Sequence, residues 1–588
     1  MDKKTILAIV LSIIVITVGM TIQQTFFADE MQMAVDNKSN VEKVVTEDDT
    51  VVEKTRNHET FIAASEAENK TFVVSNEVID VTFDTAGASV SSIIVKEENE
   101  NVEILLKEAN GRNGFLLYTE NDFTQPILDN FRYELDETDT LNIVKFEQDF
   151  YFEDLDQTVT IIKKYAMSKA DEYMLQVSVE YVSDSGLLPF NSYTLAYEPQ
   201  VGPIFTDISK SKYDFRRNYF VEEGKDKKST IKFKDEVEYV YDNVEWAATV
   251  GKYFAVVAIP QGGVNYTTTF EQTTNNTGFN QSNSMYLTRE DVSSPAIKDM
   301  YSFYCGPKNT ASLNRYEIVK DNAFGLKNID LKGVLDTSSW LGWLENILKF
   351  VLALFYKLIP NYGVAIILLT ILIKILIQPL AKKGMDSTAK MSALAPKMEE
   401  LKQKYANEPE QLNIQMAKLY KEEGINPMGS CLPMLLQFPV FIALYGLLNN
   451  HYELRGAMFI PGWINDLSIP ETIFSLPFSL PLLGPDIHLL PIIYTASMIF
   501  SMKSTQNTAG QSDQQKSMMM FMMYGMPIMF FFVLYSAPSG LILYWTVMNF
   551  ISILQQKYIN KKKGKKYKAE LQLKEAQAAK KGKRKGKW

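Results

Sequence analysis

Apolar and polar positions divide the chain into two parts with different patterns. From about residue 340 to residue 558, long apolar runs alternate with shorter polar segments, as in a protein that crosses a membrane several times. From residue 70 to residue 330, apolar and polar residues alternate one by one, as in Ile79-Asp80-Val81-Thr82-Phe83, with turn residues between such segments. This alternation predicts one large antiparallel β-sandwich domain.

A further apolar run, from Thr5 to Phe27, follows the charged N-terminus. At about 1.5 Å per residue it is long enough to cross a hydrocarbon core of about 30 Å. A cleaved signal peptide is the rival interpretation, but Phe26-Phe27-Ala28 does not supply the small-residue cleavage site of such a peptide. We therefore predict a transmembrane anchor at residues 1–27 and a flexible, charged linker at residues 28–69.

Residues 337–359 combine a wide apolar face with polar interruptions. Glu345, Asn346 and Lys349 lie among two tryptophans and several leucines. A helix of this composition lies in the membrane interface more readily than it spans the bilayer, and Pro360 ends it. We predict an interfacial amphipathic helix in this segment.

The predicted membrane core covers residues 361–558 and contains five apolar runs. With the N-terminal anchor they make six spans, so both ends of the chain lie on the same side. Lysine-rich segments at 381–430 and 559–588 then fall in the cytoplasm, and Arg455 is the only Lys or Arg in the outer loop 450–487. This arrangement agrees with the excess of Lys and Arg found in cytoplasmic loops. The five runs are approximately Tyr362 to Leu380, Cys431 to Asn449, Leu489 to Met502, Met518 to Tyr535 and Gly540 to Gln556.

The cytoplasmic segment 381–430 is itself predicted to fold as a helical hairpin. Its apolar residues follow heptad spacing on both sides of Asn407-Glu408-Pro409-Glu410, which is typical of a helix start, and Gly424 closes the second helix. The heptad positions are Met391, Leu394, Met398, Leu401, Tyr405, Leu412, Met416 and Leu419.

Composition and charge limit the activities and bound groups that we expect of this chain. The formal net charge of −10 is an average over an acidic first half and a basic tail at 559–588, so the two ends are expected to meet different partners. With only Cys305 and Cys431, we expect no stabilising disulfide. His58 is the only histidine of the outer half, and the sequence contains neither a Gly-x-Ser-x-Gly motif nor a phosphate-binding loop. We therefore expect no enzyme activity and no cofactor or metal, and a β domain that serves as a scaffold or docking surface.

Polar side chains recur on one face of several spans. Thr370, Lys374 and Gln378 follow each other at four-residue spacing, and Lys374 is the only unambiguous charge within the five runs. A charge at the bilayer centre costs about 2.5 to 3.5 kcal/mol, so Lys374 should face protein or water. Snorkelling of its side chain toward the cytoplasm is the open alternative.

The other spans carry partial polar faces of the same kind. Each is explained equally well by hydrogen bonding between helices, but together with a buried charge they indicate a hydrated cavity. The residues are Gln437 and Tyr445 in the third span, Ser497 in the fourth, and Trp545, Asn549 and Ser552 in the sixth.

Several motifs of the chain resemble those of the YidC family of membrane protein insertases. The resemblance covers nearly the whole chain and is most specific in the membrane half. In the outer half, Ile79 to Phe83 with Gly87 and Lys252 to Ala255 with Ile259-Pro260 resemble the large periplasmic domain of Gram-negative members. The membrane motifs are Ile377 to Leu380, Met391 to Pro396, Leu419 to Lys421, Asn426 to Gly429, Leu432 to Pro439, Ala443 to Tyr445 and Pro538 to Tyr544.

The resemblance implies a six-span inner-membrane insertase with a five-helix core and a periplasmic β domain. It implies a hydrophilic groove, open to cytoplasm and lipid, in which Lys374 occupies a position where many members have Arg, and to which Thr370 and Tyr544 contribute lining. The implied partners are nascent membrane proteins and the Sec translocon. The basic tail implies binding to ribosomes or to anionic lipid, and the sequence does not distinguish the two.

Two other function classes compete with this interpretation. A secondary transporter of a small anionic solute, with Lys374 as its site, is the alternative, but the sequence shows neither paired halves nor broken helices. An intramembrane protease requires a Ser/His pair or two aspartates in the spans, and neither is present. The sequence thus favours an insertase.

Overall fold

The computed structural model describes most of the chain after residue 61. The predicted anchor at residues 1–27 and the part of the predicted linker before residue 62 lie outside the described residues. The structure describes residues 62–573 except 65, 98–100, 108–110, 120–122, 204–214, 226, 232–238, 263–265, 274–281, 293, 337–340, 407, 425–431, 482, 506–519, 560, 563–565, 568 and 571.

The outer part of the chain is built from strands that follow the alternation of the sequence. Strand β3, for example, buries every second residue from Ile79 to Phe83. In chain order the strands are β1 (Ile62–Ala63), β2 (Thr71–Ser75), β3 (Ile79–Asp84), β4 (Ser89–Lys96), β5 (Asn101–Glu103), β6 (Leu105–Leu106), β7 (Leu116–Thr119), β8 (Arg132–Glu137), β9 (Leu141–Phe152), β10 (Gln157–Ser168), β11 (Met174–Ser183), β12 (Tyr193–Tyr197), β13 (Gln200–Val201), β14 (Arg217–Glu222), β15 (Ser229–Thr230), β16 (Tyr239–Asp242), β17 (Val244–Val250), β18 (Phe254–Gln261), β19 (Tyr266–Thr273), β20 (Ser282–Arg289) and β21 (Ala296–Pro307).

These strands form a layered antiparallel domain, which confirms the predicted β-rich outer domain. A ten-stranded sheet has the order β1-β9-β10-β11-β21-β18-β17-β14-β15, with β8 also pairing with β9. A five-stranded sheet (β16-β19-β20-β12-β7) and a four-stranded sheet (β2-β3-β4-β5) share one hydrophobic core with it, to which Tyr165, Leu195 and Phe83 contribute. Ile62 and Ala63 pair with Tyr151 and Phe150, so the folded chain begins before the expected boundary at residue 70.

The ten-stranded sheet is also covered on its other face near the membrane half. Trp246 and Tyr304 of the sheet pack there against Leu313, Tyr316 and Leu331 of the chain that leaves β21. This segment contains helix α1 (Thr310–Asn314) and several 3₁₀ turns. A second hydrophobic core, separate from the first, therefore packs the end of the outer domain against the ten-stranded sheet.

Lys163 is a charged residue at a core-facing position of the β domain. It lies on β10 at a position that faces the core, with no exposed surface, and its ammonium donates to the Phe115 carbonyl and lies 5.3 Å from the centre of the Tyr165 ring. Burial holds the pKa of Lys163 well below its ordinary value, because the charged form loses its hydration. The β domain is thus less stable than an apolar residue at this position would make it.

We expect Lys163→Met to stabilise the β domain by on the order of 1 to 4 kcal/mol near neutral pH. The gain should shrink toward pH 10.5, because a group with a lowered folded-state pKa makes stability rise with pH up to its unfolded value of 10.5. Hydrogen exchange of the β9 and β10 amides in the full chain measures both effects. The control is Lys164→Met, which changes the outward-facing neighbour and should alter stability by less than about 0.5 kcal/mol.

The membrane half consists of helices whose positions follow the apolar runs. A short β hairpin, β22 (Phe474–Leu480) and β23 (Gly484–Ile487), interrupts them in the predicted outer loop, and a π-helical turn at Phe521–Gly525 precedes α8. The helices are α2 (Gly342–Leu358), α3 (Tyr362–Ala393), α4 (Ala395–Lys404), α5 (Pro409–Glu422), α6 (Leu432–Asn450), α7 (Leu489–Thr505), α8 (Met526–Leu534) and α9 (Ser539–Ile559).

Within the described residues, one stretch of helix is long and apolar enough to cross a membrane, namely Tyr362–Pro379 of α3. Two shorter apolar helices lie at Leu489–Lys503 and Phe521–Leu534. The count of six spans therefore stays a prediction.

The predicted helical hairpin is present between α3 and α6. Leu394 and Met398 are buried against Leu412 and Met416, as the heptad spacing requires. Pro409 is the first residue of α5, where its missing N–H costs nothing, and Gly424 has the positive φ of +61° that ends the helix. The predicted cap residue Asn407 lies outside the described residues. Helix α3 runs without interruption from the membrane half into this hairpin.

Helix α2 has the predicted amphipathic position but a different distribution of polar residues. Glu345 is buried and packs against Gly446 of α6, so it is not part of a solvated stripe. Lys349 donates to the hydroxyl of Thr310 at 3.2 Å. The exposed face is apolar, and a membrane can cover it; its residues are Trp343, Ile347, Phe350, Leu354 and Leu358.

Candidate functional site

The charge of Lys374 lies between two helices of the membrane half. Its ammonium donates to the hydroxyl of Ser552 at 2.7 Å, which joins α3 to α9 across 178 residues of sequence. Ser552 donates its own proton to the Met548 carbonyl at 2.8 Å, so its hydroxyl oxygen is free to accept from the ammonium. In the part of the chain that the structure describes, no carboxylate forms an ion pair with Lys374. The positive charge is therefore held by a neutral partner.

A second polar contact joins α9 to α7. Asn549 donates its amide N–H to the hydroxyl of Ser497 at 3.1 Å, and Ser497 donates to the Tyr494 carbonyl at 2.7 Å. Asn549 and Ser552 are three residues apart and share one face of α9. The two contacts thus form a row of polar side chains from α3 across α9 to α7.

Aromatic side chains continue the same face of α9 toward its N-terminal end. Trp545 stacks on Phe441 of α6, with ring centres 5.1 Å apart and planes inclined by 7°, and packs on Tyr494 of α7 at 5.7 Å. Tyr544 is fully buried, and Gln437 of α6 lies beside its hydroxyl. Helix α9 is therefore the central helix of the site, in contact with α3, α6 and α7.

The other predicted site residues lie in different environments. Thr370 is buried, and its hydroxyl donates to the Ile366 carbonyl one turn back at 2.7 Å, so its polarity is satisfied inside α3. Gln378 is exposed, one turn beyond Lys374 toward the helical hairpin. Tyr445 is half-buried on α6. The row thus contains Lys374, Ser497, Asn549 and Ser552, with Gln437, Tyr544 and Trp545 beside it.

Phe441 was missed in the sequence, although a signal for it exists. It lies four residues after Gln437 and four residues before Tyr445, on the same face of α6. The predicted polar face of α6 contained Gln437 and Tyr445 and did not include this aromatic ring. Its stacking on Trp545 shows that the site combines polar and aromatic walls.

The loop before α7 is hydrogen-bonded to the N-terminal ends of α3 and α9. The Gly540 N–H donates to the Leu467 carbonyl at 2.9 Å, and the Ser539 N–H donates to the Ile469 carbonyl at 2.9 Å. The amide of Asn361 at the start of α3 donates to the Phe459 carbonyl at 3.2 Å. The loop thus satisfies two N-terminal backbone N–H groups of α9, which helices otherwise leave without partners, and holds the side chain of the residue that caps α3. Among the described residues, no group of three or more His, Cys, Asp or Glu side chains is arranged to hold a metal ion.

Two family models match adjoining parts of the chain. The model of the 60Kd inner membrane protein matches residues 354–566, and the model of the YidC periplasmic domain matches residues 71–353. Their common border lies inside α2, where the β domain has ended and the membrane half begins.

Known proteins match the chain over most of its length. A membrane protein insertase YidC of Treponema denticola is 41% identical over 409 residues, which are 68% of this chain and 69% of the relative. One of Pelobacter propionicus is 32% identical over 420 residues, which are 69% of this chain and 70% of the relative. A crystal structure of an active YidC insertase is 17% identical with a TM-score of 0.36, over 85% of this chain and 95% of that chain.

Proposed function

Because this chain belongs to the YidC family of membrane protein insertases, we propose that it inserts newly made proteins into the inner membrane along the polar row of α3, α9 and α7. The family is a non-catalytic one, and the matches give no support to a solute transporter. The substrates are nascent membrane proteins. The site is the row described above, with Lys374 as its charge.

The observation that carries this proposal is the neutral partner of Lys374. An ammonium group has three donors, and Ser552 accepts only one of them. A charge that is half-buried and not neutralised by a carboxylate attracts anionic groups over a longer range than a paired one. An acidic tail or loop of a substrate supplies such a group.

The driving force comes from the substrate itself. A hydrated groove shortens the apolar distance that a polar tail must cross, and charged residues at the bilayer centre are the costly ones. Each apolar segment then gains free energy by leaving the groove for lipid. Phe441, which is half-buried and stacks on the buried Trp545, offers an apolar surface next to the polar row, where such a segment can rest before it leaves.

The partners and the orientation follow from the family and the charge pattern. We propose that the chain works alone or with the Sec translocon, and that its basic tail binds ribosomes or anionic lipid. The β domain lies in the periplasm, and both termini lie in the cytoplasm. Depleting the protein should stop newly made small membrane proteins from inserting. If a solute fails to accumulate while these proteins still insert, the proposal is wrong.

The orientation is testable by cysteine labelling in intact cells. In a chain without its native cysteines, a cysteine at Ser392 in the hairpin should stay unlabelled by a membrane-impermeant reagent, because this segment is cytoplasmic by its lysine content. A cysteine at Ser479 in the outer loop should be labelled. Labelling at Ser392 before the membrane is permeabilised would overturn the six-span arrangement.

A further inference from the structure

The β hairpin of the outer loop has an apolar face that the rest of the described chain leaves open. Strand β22 alternates strictly, so that its four apolar side chains share one face. Phe474 and Phe478 on that face keep 53% and 59% of their surface exposed. The other face carries Ser475, Pro477 and Ser479. The apolar positions are Phe474, Leu476, Phe478 and Leu480.

The base of the hairpin is fixed to the ends of three membrane helices. The Asp486 carbonyl accepts from the Tyr535 hydroxyl at 2.9 Å, just after α8. The Glu471 carboxylate accepts from the Leu490 N–H at the start of α7, and the Ile469 carbonyl accepts from Ser539 at the start of α9. The hairpin therefore begins where α7 begins, α8 ends and α9 begins.

Charge on the hairpin is nearly absent. Between Arg455 and Lys503 the sequence contains no Lys or Arg, and Asp486 is the only ionisable residue between Phe474 and Ile487. Asp486 accepts a hydrogen bond from Ser475 of the opposite strand, so its charge is held at the base of the hairpin. Nothing along β22 therefore opposes contact with an apolar medium.

The helices next to the base of the hairpin also expose apolar side chains. Ile492 of α7 and Ile528 and Phe532 of α8 are 45%, 50% and 43% exposed, respectively. Exposed apolar residues of membrane helices meet lipid chains. The hairpin leads directly into α7, so its exposed phenylalanines lie close in sequence to these residues. Aromatic residues are favoured at the membrane-water boundary.

We propose that the hairpin of β22 and β23 lies in the outer leaflet of the membrane with Phe474 and Phe478 in the lipid. Open strand edges are costly in the hydrocarbon core, so insertion is shallow. Pro477, Pro481 and Pro485 lower this cost, because proline has no N–H to leave without a partner. The same prolines disfavour a protein partner that adds a strand to the edge.

The test places a fluorophore on each face of the hairpin in the full chain. In a variant without Cys305 and Cys431, an environment-sensitive NBD label is attached at Phe478→Cys or at Ser479→Cys. Both variants are reconstituted in phosphatidylethanolamine and phosphatidylglycerol vesicles. Nitroxide groups on the lipid chains, present in both leaflets, report lipid contact. Iodide, added to both sides during reconstitution, reports contact with water.

The two adjacent positions serve as controls for each other. Lipid-chain nitroxides should quench the label at position 478 several-fold more than the label at position 479, and iodide should show the reverse order. Adding Phe474→Ser should lower the lipid quenching at position 478, since it removes the neighbouring apolar contact. Equal iodide access at both positions, without lipid quenching, would overturn the proposal and leave a soluble partner as the occupant. Insertion activity does not enter this result, so it is independent of the proposed function.

Discussion

Lys374→Ala should reduce the insertion of substrates with acidic tails at least roughly tenfold and leave matched neutral substrates nearly unchanged. Two charges 4 Å apart attract by about 1 kcal/mol in water and about 4 kcal/mol near a protein surface, and each 1.4 kcal/mol is a factor of about ten. Lys374→Arg should retain insertion, because it keeps the charge at similar length. Lys374→Glu should reduce the insertion of substrates with acidic tails further than Lys374→Ala does. The measurement is insertion of paired substrates at equal insertase levels.

Ser552→Ala is the matched control for the charge of Lys374. It removes the hydroxyl that holds the ammonium and keeps the ammonium itself. If attraction by the charge is what matters, this variant should lose much less activity on acidic tails than Lys374→Ala. Snorkelling predicts something else, namely that the alanine variant is tolerated for every substrate. Equal activity of Lys374→Ala on acidic and neutral tails would eliminate the electrostatic role.

Asp336→Ala should destabilise the end of the outer domain by about 3 to 5 kcal/mol, because it leaves the buried ammonium group of Lys308 and the partly buried one of Lys228 without their counterion. Lys308 donates to Asp336 Oδ2 at 2.5 Å, and Lys228 and Tyr219 lie 3.4 Å and 2.6 Å from Oδ1. The Asp336 carbonyl also accepts from Asn450 of the membrane half at 3.4 Å. Hydrogen exchange of the β14 and β17 amides in the full chain measures the loss.

The ion pair of Glu222 and Lys225 on the same domain is the control for Asp336. Its atoms are also 2.5 Å apart, but both side chains are exposed, so Glu222→Ala should cost no more than about 1 kcal/mol. Equal losses in the two variants would show that burial around Asp336 contributes nothing. Such a result would contradict the role given to the two lysines.

The pH dependence of the Asp336 contacts has a definite sign. Burial alone disfavours the carboxylate, but the ammonium groups of Lys308 and Lys228 hold the pKa of Asp336 well below its ordinary 3.8. Its contribution to stability is therefore present above pH 3.8 and is lost as pH falls through the lower folded-state value. Burial lowers the pKa of Lys228 to about 8, against the attraction of Asp336, so the neutral amine is populated in the folded chain above that pH. By the same linkage as for Lys163, this residue makes stability rise with pH up to its ordinary pKa of 10.5.

Local patterns in the sequence determined the elements of this protein. Alternation identified the β domain, and heptad spacing identified the contacts of Leu394 and Met398 with Leu412 and Met416. Both periods arise from the geometry of a single helix or strand, so a few neighbouring residues are enough to show them. The family was visible in short motifs for the same reason. The position of Lys374 on a polar face was a local property as well.

The contacts of those faces were decided only by the tertiary structure. Lys374 and Ser552 are 178 residues apart, and their contact depends on how α3 and α9 rotate about their axes when they pack. The same packing buried Thr370, which shares the face of α3 with Lys374, and packing of α2 on α6 buried Glu345. Lys163 lies in the β core because the alternation of β10 places its position on the inward face of the strand. Periodicity specifies which residues share a face, whereas the packing of distant elements decides what that face meets.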